Sequence, residues 1–295
     1  MKKILMLLLV IAVITTHLGC GQVAESVDIV TTTAPLFTFT TALCAGTDLS
    51  VDCLITENVS CLHDYTLQTS QMRAIEDSEL ILISGAGLEE AFADILNTHK
   101  NLVDTSESIQ LLCQETEHDH EAHQENAGHH HAEDPHIWLS PQNAVIIVNN
   151  ISVALASKYP QWEATFEENR TALLGRLDAL SAYATEQLAE LTTREIITFH
   201  DGFGYMAESF DLKILHAIEE ESGREASAQE LIHLCELVTE HHLPCIFIEK
   251  NGSVSAAEVV AAETGIDIYS LDMAMSGDYF DAMYHNIDIL KEALR

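Results

Sequence analysis

Between residues 27 and 105 short β-type runs alternate with helical patterns, and this alternation constrains the chain more than any other feature. "VDIVTT", "LSVDCLI", "ELILISGAG" and "NLVDTS" read as strands, with "PLFTFTTALCAG", "LQTSQMRAIEDS" and "LEEAFADILNTH" as the helices between them. Strand, helix, strand in regular order implies a parallel sheet with helices on its faces. The pattern stops after Ser106. It restarts in "REIITF", "GFGYMAESF", "LKILH", "SAQELIHLCELVTEHH", "PCIFIE", "SAAEVVAAETG", "DIYSL" and "DYFDAMYHNIDILKEAL". In between, from Gln161 to Leu191, one helical pattern spaces Trp162, Phe166, Leu173, Leu177, Leu180, Ala184, Leu188 and Leu191 by three, four or seven, with Gly175 its one glycine. Thirty helical residues extend about 45 Å, the length of a small domain, so this helix reads as a strut. The fold class is therefore α/β: two lobes, each a parallel sheet flanked by helices, joined by one long helix. The 295 residues, 47% of them apolar and only five of them proline, suffice for two packed domains of ordinary size. Two similar lobes suggest duplication, although no residue-level repeat accompanies them.

The start of the chain reads as an export signal. Lys2 and Lys3 precede an apolar run from Ile4 to Ile14, too short to span a bilayer as a helix but suited to a signal peptide. The "LGC" ending at Cys20 resembles a bacterial lipoprotein processing site, with His17 where Leu is usual; simple secretion is the alternative. The expected organisation is a signal peptide over 1–19, a lipid-anchor linker over 20–26, an N-terminal lobe over 27–160, the connecting helix over 161–191 and a C-terminal lobe over 192–295. Export leaves Cys44, Cys53, Cys61, Cys113, Cys235 and Cys245 open to pairing, either as disulfides or as buried small residues. No two of them show the C-x-x-C spacing of a structural zinc site.

Charge narrows the partners. With 13 basic and 47 acidic residues the formal charge is -34, which repels nucleic acid and anionic head groups and favours cations. In open α/β sheets a ligand lies beyond the carboxyl ends of the strands. Four metal-binding side chains follow candidate strands or border the acidic loop: His63, His136, His200 and Asp272, two from each lobe. Their joint position places a metal in the cleft between the lobes. Three imidazoles and a carboxylate suit tetrahedral Zn2+, and replacing one imidazole by a second carboxylate favours Mn2+. Asp278 is a rival to Asp272 for the fourth place.

Residues 114–134 hold six histidines and seven acidic residues with almost nothing apolar, which predicts a mobile loop. Order returns at "DPHIWLSPQNAVIIVNNISVALASKYP", with Ser140 as N-cap, Pro141 at the first helical position and a helix towards Lys158. His136, at the edge of that ordered stretch, reads as a fixed ligand. His118, His120, His123, His129, His130 and His131 belong to the loop, where neutral imidazoles beside carboxylates bind zinc weakly and pass it on; a solvated linker is the plainer reading.

The segments "HDYTLQTSQMRAIEDSELILISGAGLE", "DPHIWLSP", "FHDGFGYMAESFDLK", "EASAQELIHLCELVTEHHLPCIFIEKNGS" and "DYFDAMYHNIDILKEAL" together resemble the substrate-binding proteins of bacterial zinc and manganese ABC importers. The resemblance covers essentially the whole chain after Cys20. It implies His63, His136 and His200 as cleft ligands, Asp272 of "SLDMA" as the C-terminal carboxylate, and a membrane permease as the partner of a monomeric lipoprotein. Manganese-selective members tend to carry Glu where His200 stands, which favours zinc. "TENVSCLHDY" departs from the family in lacking its proline and glycine residues, and Leu67 stands where Pro is common. No chemical conversion is implied. A zinc hydrolase is the alternative from three histidines with an open position, but the chain lacks H-E-x-x-H and Asp272 would close the coordination sphere. A surface adhesin or metal buffer is the third reading.

Overall fold

The structure is a computed structural model, and it describes residues 27–56, 65–113, 133–218 and 226–295. The first sheet contains β1 (Ile29–Thr31), β2 (Val51–Cys53), β3 (Leu80–Ile83) and β4 (Leu102–Asp104), in the order β2-β1-β3-β4 and parallel throughout. The second contains β5 (Glu195–Thr198), β6 (Lys213–Ala217), β7 (Cys245–Glu249) and β8 (Asp267–Leu271), in the order β6-β5-β7-β8, again parallel. Each sheet starts at its second position, steps outward and then crosses back, so the two share one topology. Both orders place a switch point beside the first strand, where the connections leave in opposite directions and a crevice opens. His200 follows β5 at that position.

The helices are α1 (Ala34–Leu43), α2 (Thr69–Asp77), α3 (Ala93–Leu96), α4 (Pro141–Lys158), α5 (Glu163–Gln187), α6 (Gly204–Ser209), α7 (Ala228–Glu240), α8 (Ser255–Thr264) and α9 (Tyr279–Leu294). Ser140 caps α4 as expected: its hydroxyl accepts from the Asn143 N–H at 3.2 Å, and Pro141 opens the first turn. Two helical readings contract. "LEEAFADILNTH" forms a 3-10 turn over Glu90–Phe92 and only one turn of α3, because Glu89 is turned inward as a buried acceptor. The long pattern becomes a 3-10 turn over Pro160–Trp162 followed by 25 residues of α5, about 37 Å rather than 45. It stops at Leu188 because the Arg194 guanidinium donates to the Leu188 carbonyl at 2.8 Å, taking up an acceptor that the helix leaves unpaired.

α5 packs against α1, α4 and α9. Phe166, Leu173, Leu177, Leu180 and Ala184 form its buried stripe. Phe39 of α1 meets Tyr279 of α9 edge-on, with ring centroids 4.8 Å apart. One continuous apolar core therefore runs from Ile29 and Leu82 in the first lobe through α5 to Phe247 and Leu290 in the second. A second, smaller core of Ile197, Phe199, Leu234, Ile246 and Val260 lies between the second sheet and α7 and α8.

Cys44, Cys53, Cys113, Cys235 and Cys245 are free thiols. Burial pushes the Cys44 and Cys245 thiols up to about 12, so these two are apolar packing residues. Cys61 lies outside the described residues.

Candidate metal centre

β5 ends at Thr198, and the chain then turns through Phe199, His200, Asp201 and Gly202 before α6. His136 immediately precedes a 3-10 turn, Ile137–Leu139, whose three side chains are buried. That turn is held from the other lobe: the Trp138 indole donates to the Met273 carbonyl at 2.8 Å, and the Tyr279 hydroxyl donates to the Trp138 carbonyl at 3.0 Å. Helix propensity has little part in this placement. Two buried aromatic side chains that must satisfy their polar ends fix it.

The two imidazoles so placed stand with Nε2 atoms 3.5 Å apart, ring centroids 5.2 Å apart and planes at 84°. Two imidazoles bound to one tetrahedral zinc at about 2.0 to 2.1 Å have nitrogens roughly 3.4 Å apart, so the pair already has the spacing of a chelate. The far nitrogen of His136 is held by a carboxylate, and that of His200 lies near one. Asp134 Oδ1 lies 2.8 Å from His136 Nδ1 and also accepts the His136 N–H at 2.9 Å. Glu249 Oε2, at the end of β7, lies 4.0 Å from His200 Nδ1. A carboxylate hydrogen-bonded to His136 Nδ1 draws the proton there and leaves that ring's Nε2 lone pair for a metal.

Gly202 makes room for this approach. A Cβ at that position would come within 2.7 Å of His200 Cδ2, 2.8 Å of His136 Cε1 and 2.6 Å of the Met273 methyl. Asp272 follows β8 and is buried, with its backbone locked to Asn286 by reciprocal bonds of 2.7 Å. Its carboxylate accepts from the Ala274 N–H at 2.8 Å and from Lys250 Nζ at 2.7 Å. Burial, then the Asp272 charge, pushes the Glu249 carboxyl up to about 7. The C-terminal half of the site is thus a concentration of buried acid, balanced by one largely exposed ammonium.

Of the residues read from the sequence, the structure brings His136 and His200 together. It places Asp272 at the end of a neighbouring strand, on Lys250, and among the described residues no group of three His, Cys, Asp or Glu converges as ligands. Asp278 is occupied elsewhere, as the N-cap of α9, accepting from Phe280 N and Asp281 N. His63, Cys20, His118, His120, His123, His129, His130 and His131 lie outside the described residues. Glu133 and Asp134 are corrected from loop to ordered structure: Glu133 forms an antiparallel bridge with Cys113, and Asp134 is buried because it orients His136. Sequence reasoning missed Asp134 and Glu249 as partners of the imidazoles. The signal for Asp134 was its spacing two before His136; for Glu249 it was the acid that ends the apolar strand "CIFIE".

The family model described as zinc-uptake complex component A, periplasmic, ZnuA, matches residues 29–293. The zinc-binding lipoprotein AdcA of Streptococcus pneumoniae is 30% identical over 310 residues, which cover 99% of this chain and 61% of that protein. The chain thus spans about three-fifths of the length of this relative. Among solved structures, a crystal structure of ZnuA superposes with a TM-score of 0.80 at 28% identity, covering 92% of this chain and 100% of that one. Zn(II)-bound AdcA from Streptococcus pneumoniae superposes with a TM-score of 0.74 at 27% identity, covering 92% of this chain and 58% of that one.

Proposed function

Because this chain belongs to the ZnuA family of zinc-uptake components, we propose that it captures one zinc ion between its lobes and delivers it to the permease of an ABC importer. The observation that carries this reading is the convergence of His136 and His200, one ring from each side of the inter-lobe contact, at chelating distance. Zinc suits the two imidazoles because both are borderline ligands, and His136 has a hydrogen-bonded carboxylate behind it to fix its orientation. His63 and Asp272 complete the proposed set. Asp272 is buried beside Glu249, and a divalent cation there would take over the charge that Lys250 now balances. Ion capture requires no bond making in a substrate, so the chain acts as a transport component rather than an enzyme.

Among the described residues no helix is long and apolar enough to cross a membrane. Attachment would come from lipid on Cys20, which would keep the protein at the outer face of the cytoplasmic membrane beside its permease. The histidines between 118 and 131 would serve as a weak gathering site outside the cleft.

Zinc titration against a competing chelator tests the reading. Wild-type protein should show one tight site, and His136→Ala should weaken it by 10-fold or more, on the order of 1.4 kcal/mol. Removing residues 115 to 132 should leave the tight site and abolish only weaker binding. His200→Glu should move the zinc-to-manganese affinity ratio towards manganese. A tight site lost on the deletion but untouched by His136→Ala would transfer the receptor role to the histidine-rich segment.

A further inference from the structure

Tyr205 lies five residues after His200, in α6, and is buried. Its hydroxyl makes two bonds to a part of the chain that precedes the long helix. It accepts from the Leu112 N–H at 3.0 Å and donates to the Asp134 carbonyl at 3.0 Å. Leu112 and Asp134 are also bonded to each other, Asp134 N to Leu112 O at 2.9 Å, and Cys113 bridges Glu133 just beyond. The two chain segments that flank residues 114–132 therefore meet as a short antiparallel pair, and Tyr205 reaches across both. Gly204 lets the helix come this close: a Cβ there would stand 3.0 Å from Asp134 Oδ2 and 3.4 Å from Leu112 Cδ1.

Asp134 is the residue whose carboxylate holds both the backbone and the ring of His136. A chain of contacts thus runs from the Tyr205 hydroxyl to the Asp134 main chain, from the Asp134 carboxylate to His136 Nδ1, and from His136 Nε2 to His200, in the loop that leads into the helix of Tyr205. This circuit is closed. A rotation of Asp134 would turn the His136 ring away from His200, and the Tyr205 bond to the Asp134 carbonyl opposes that rotation. We infer that Tyr205 is a positioning residue for metal capture, a hydroxyl latch between the lobes that sets the orientation of His136 through Asp134. The inference rests on His136 being a metal ligand. Burial pushes the Tyr205 hydroxyl up to about 12, so it stays a donor throughout the neutral range.

Zinc affinity of the full chain, measured by chelator competition for Tyr205→Phe, Asp134→Asn and the double variant, tests the latch. Phe keeps the packing of the ring and removes only the hydroxyl. Partners behind a ligating histidine typically change metal affinity by about 10- to 100-fold. Tyr205→Phe is expected to weaken zinc by about 10-fold and Asp134→Asn by at least as much. The double variant should be no weaker than Asp134→Asn alone, because both losses act through one ring. A purely structural role predicts a lowered melting temperature with zinc affinity unchanged, or losses that multiply; either result overturns the latch. His136→Ala separates the two readings. If it leaves the tight site intact, the ligand assignment falls and the latch with it, whereas weakening by His136→Ala with none by Tyr205→Phe removes the latch alone.

Discussion

At the scale of single residues, the proposed metal centre depends as much on what is small or acidic as on the histidines themselves. Gly202 is not in the left-handed region, so a larger residue there is excluded by space alone: two of the three atoms that a Cβ would meet belong to the imidazole pair. Gly202→Ala is expected to weaken tight zinc binding by about 10-fold or more, since a displacement of a few tenths of an ångström at each ring opens the chelate. Its melting temperature without metal should also fall, because the Met273 methyl can swing aside but the buried His136 ring, bonded to Asp134, must be displaced. Chelator competition combined with thermal unfolding checks both halves. A Gly202→Ala protein that binds zinc like the wild type would mean that the rings are free to separate before they ligate. The histidines were legible in the sequence because each stands beside a strand end or the edge of a polar segment. Their carboxylate partners were not, since an acid behind a ring differs from any surface acid only by where the chain folds back.

At the scale of elements, caps and buried acceptors decide where helices begin and sheets end. Ser140 satisfies an orphan N–H of α4, and Ser140→Ala should cost about 1 kcal/mol in a denaturant unfolding experiment. Glu89 does similar work inside the first lobe. It accepts from the Thr32 hydroxyl at 2.6 Å, Ser84 N at 2.8 Å and Gly85 N at 3.0 Å, tying β1 to the turn after β3. Burial outweighs those three donors and raises its carboxyl to about 7 from an ordinary 4.5. The folded state therefore holds this proton where the unfolded chain has lost it. The resulting stability is fully present below pH 4.5 and declines as pH rises through about 7, by roughly 3 kcal/mol in all. Glu89→Gln, which cannot ionise, should flatten the fall in unfolding free energy between pH 4.5 and about pH 7. Equal slopes for the two proteins would show that Glu89 is ionised across that range.

At the scale of the whole molecule, the lobes share one core. Side chains from the first sheet, α5 and the second sheet pack without a break, and aromatic contacts such as Phe39 with Tyr279 cross from lobe to lobe. Opening the cleft by a wide hinge would expose that core at roughly 25 cal/mol for each Å² of apolar surface, which a single metal site could not offset over a large area. Zinc capture should accordingly proceed with local changes only. Small-angle scattering of metal-free and zinc-loaded protein is expected to give the same radius of gyration within error, and a clear contraction on loading would show that the shared core splits.

The sequence alone determined the alternation of strands and helices, the two-lobe α/β class, the start of α4 at Ser140 and the two histidines that converge. These are local properties: periodicity of apolar residues, caps, and ligand types at strand ends, all of which act over a few neighbouring positions. Only the tertiary structure decided that α5 ends at Gln187, that Glu133 and Asp134 leave the polar segment to join the fold, and that Tyr205 reaches Leu112 and Asp134. Those outcomes depend on partners 6 to 93 residues away, and for the contacts between lobes no window of sequence contains both members. A buried donor must find its acceptor wherever the packed lobes bring one, so such pairings are settled by the fold as a whole.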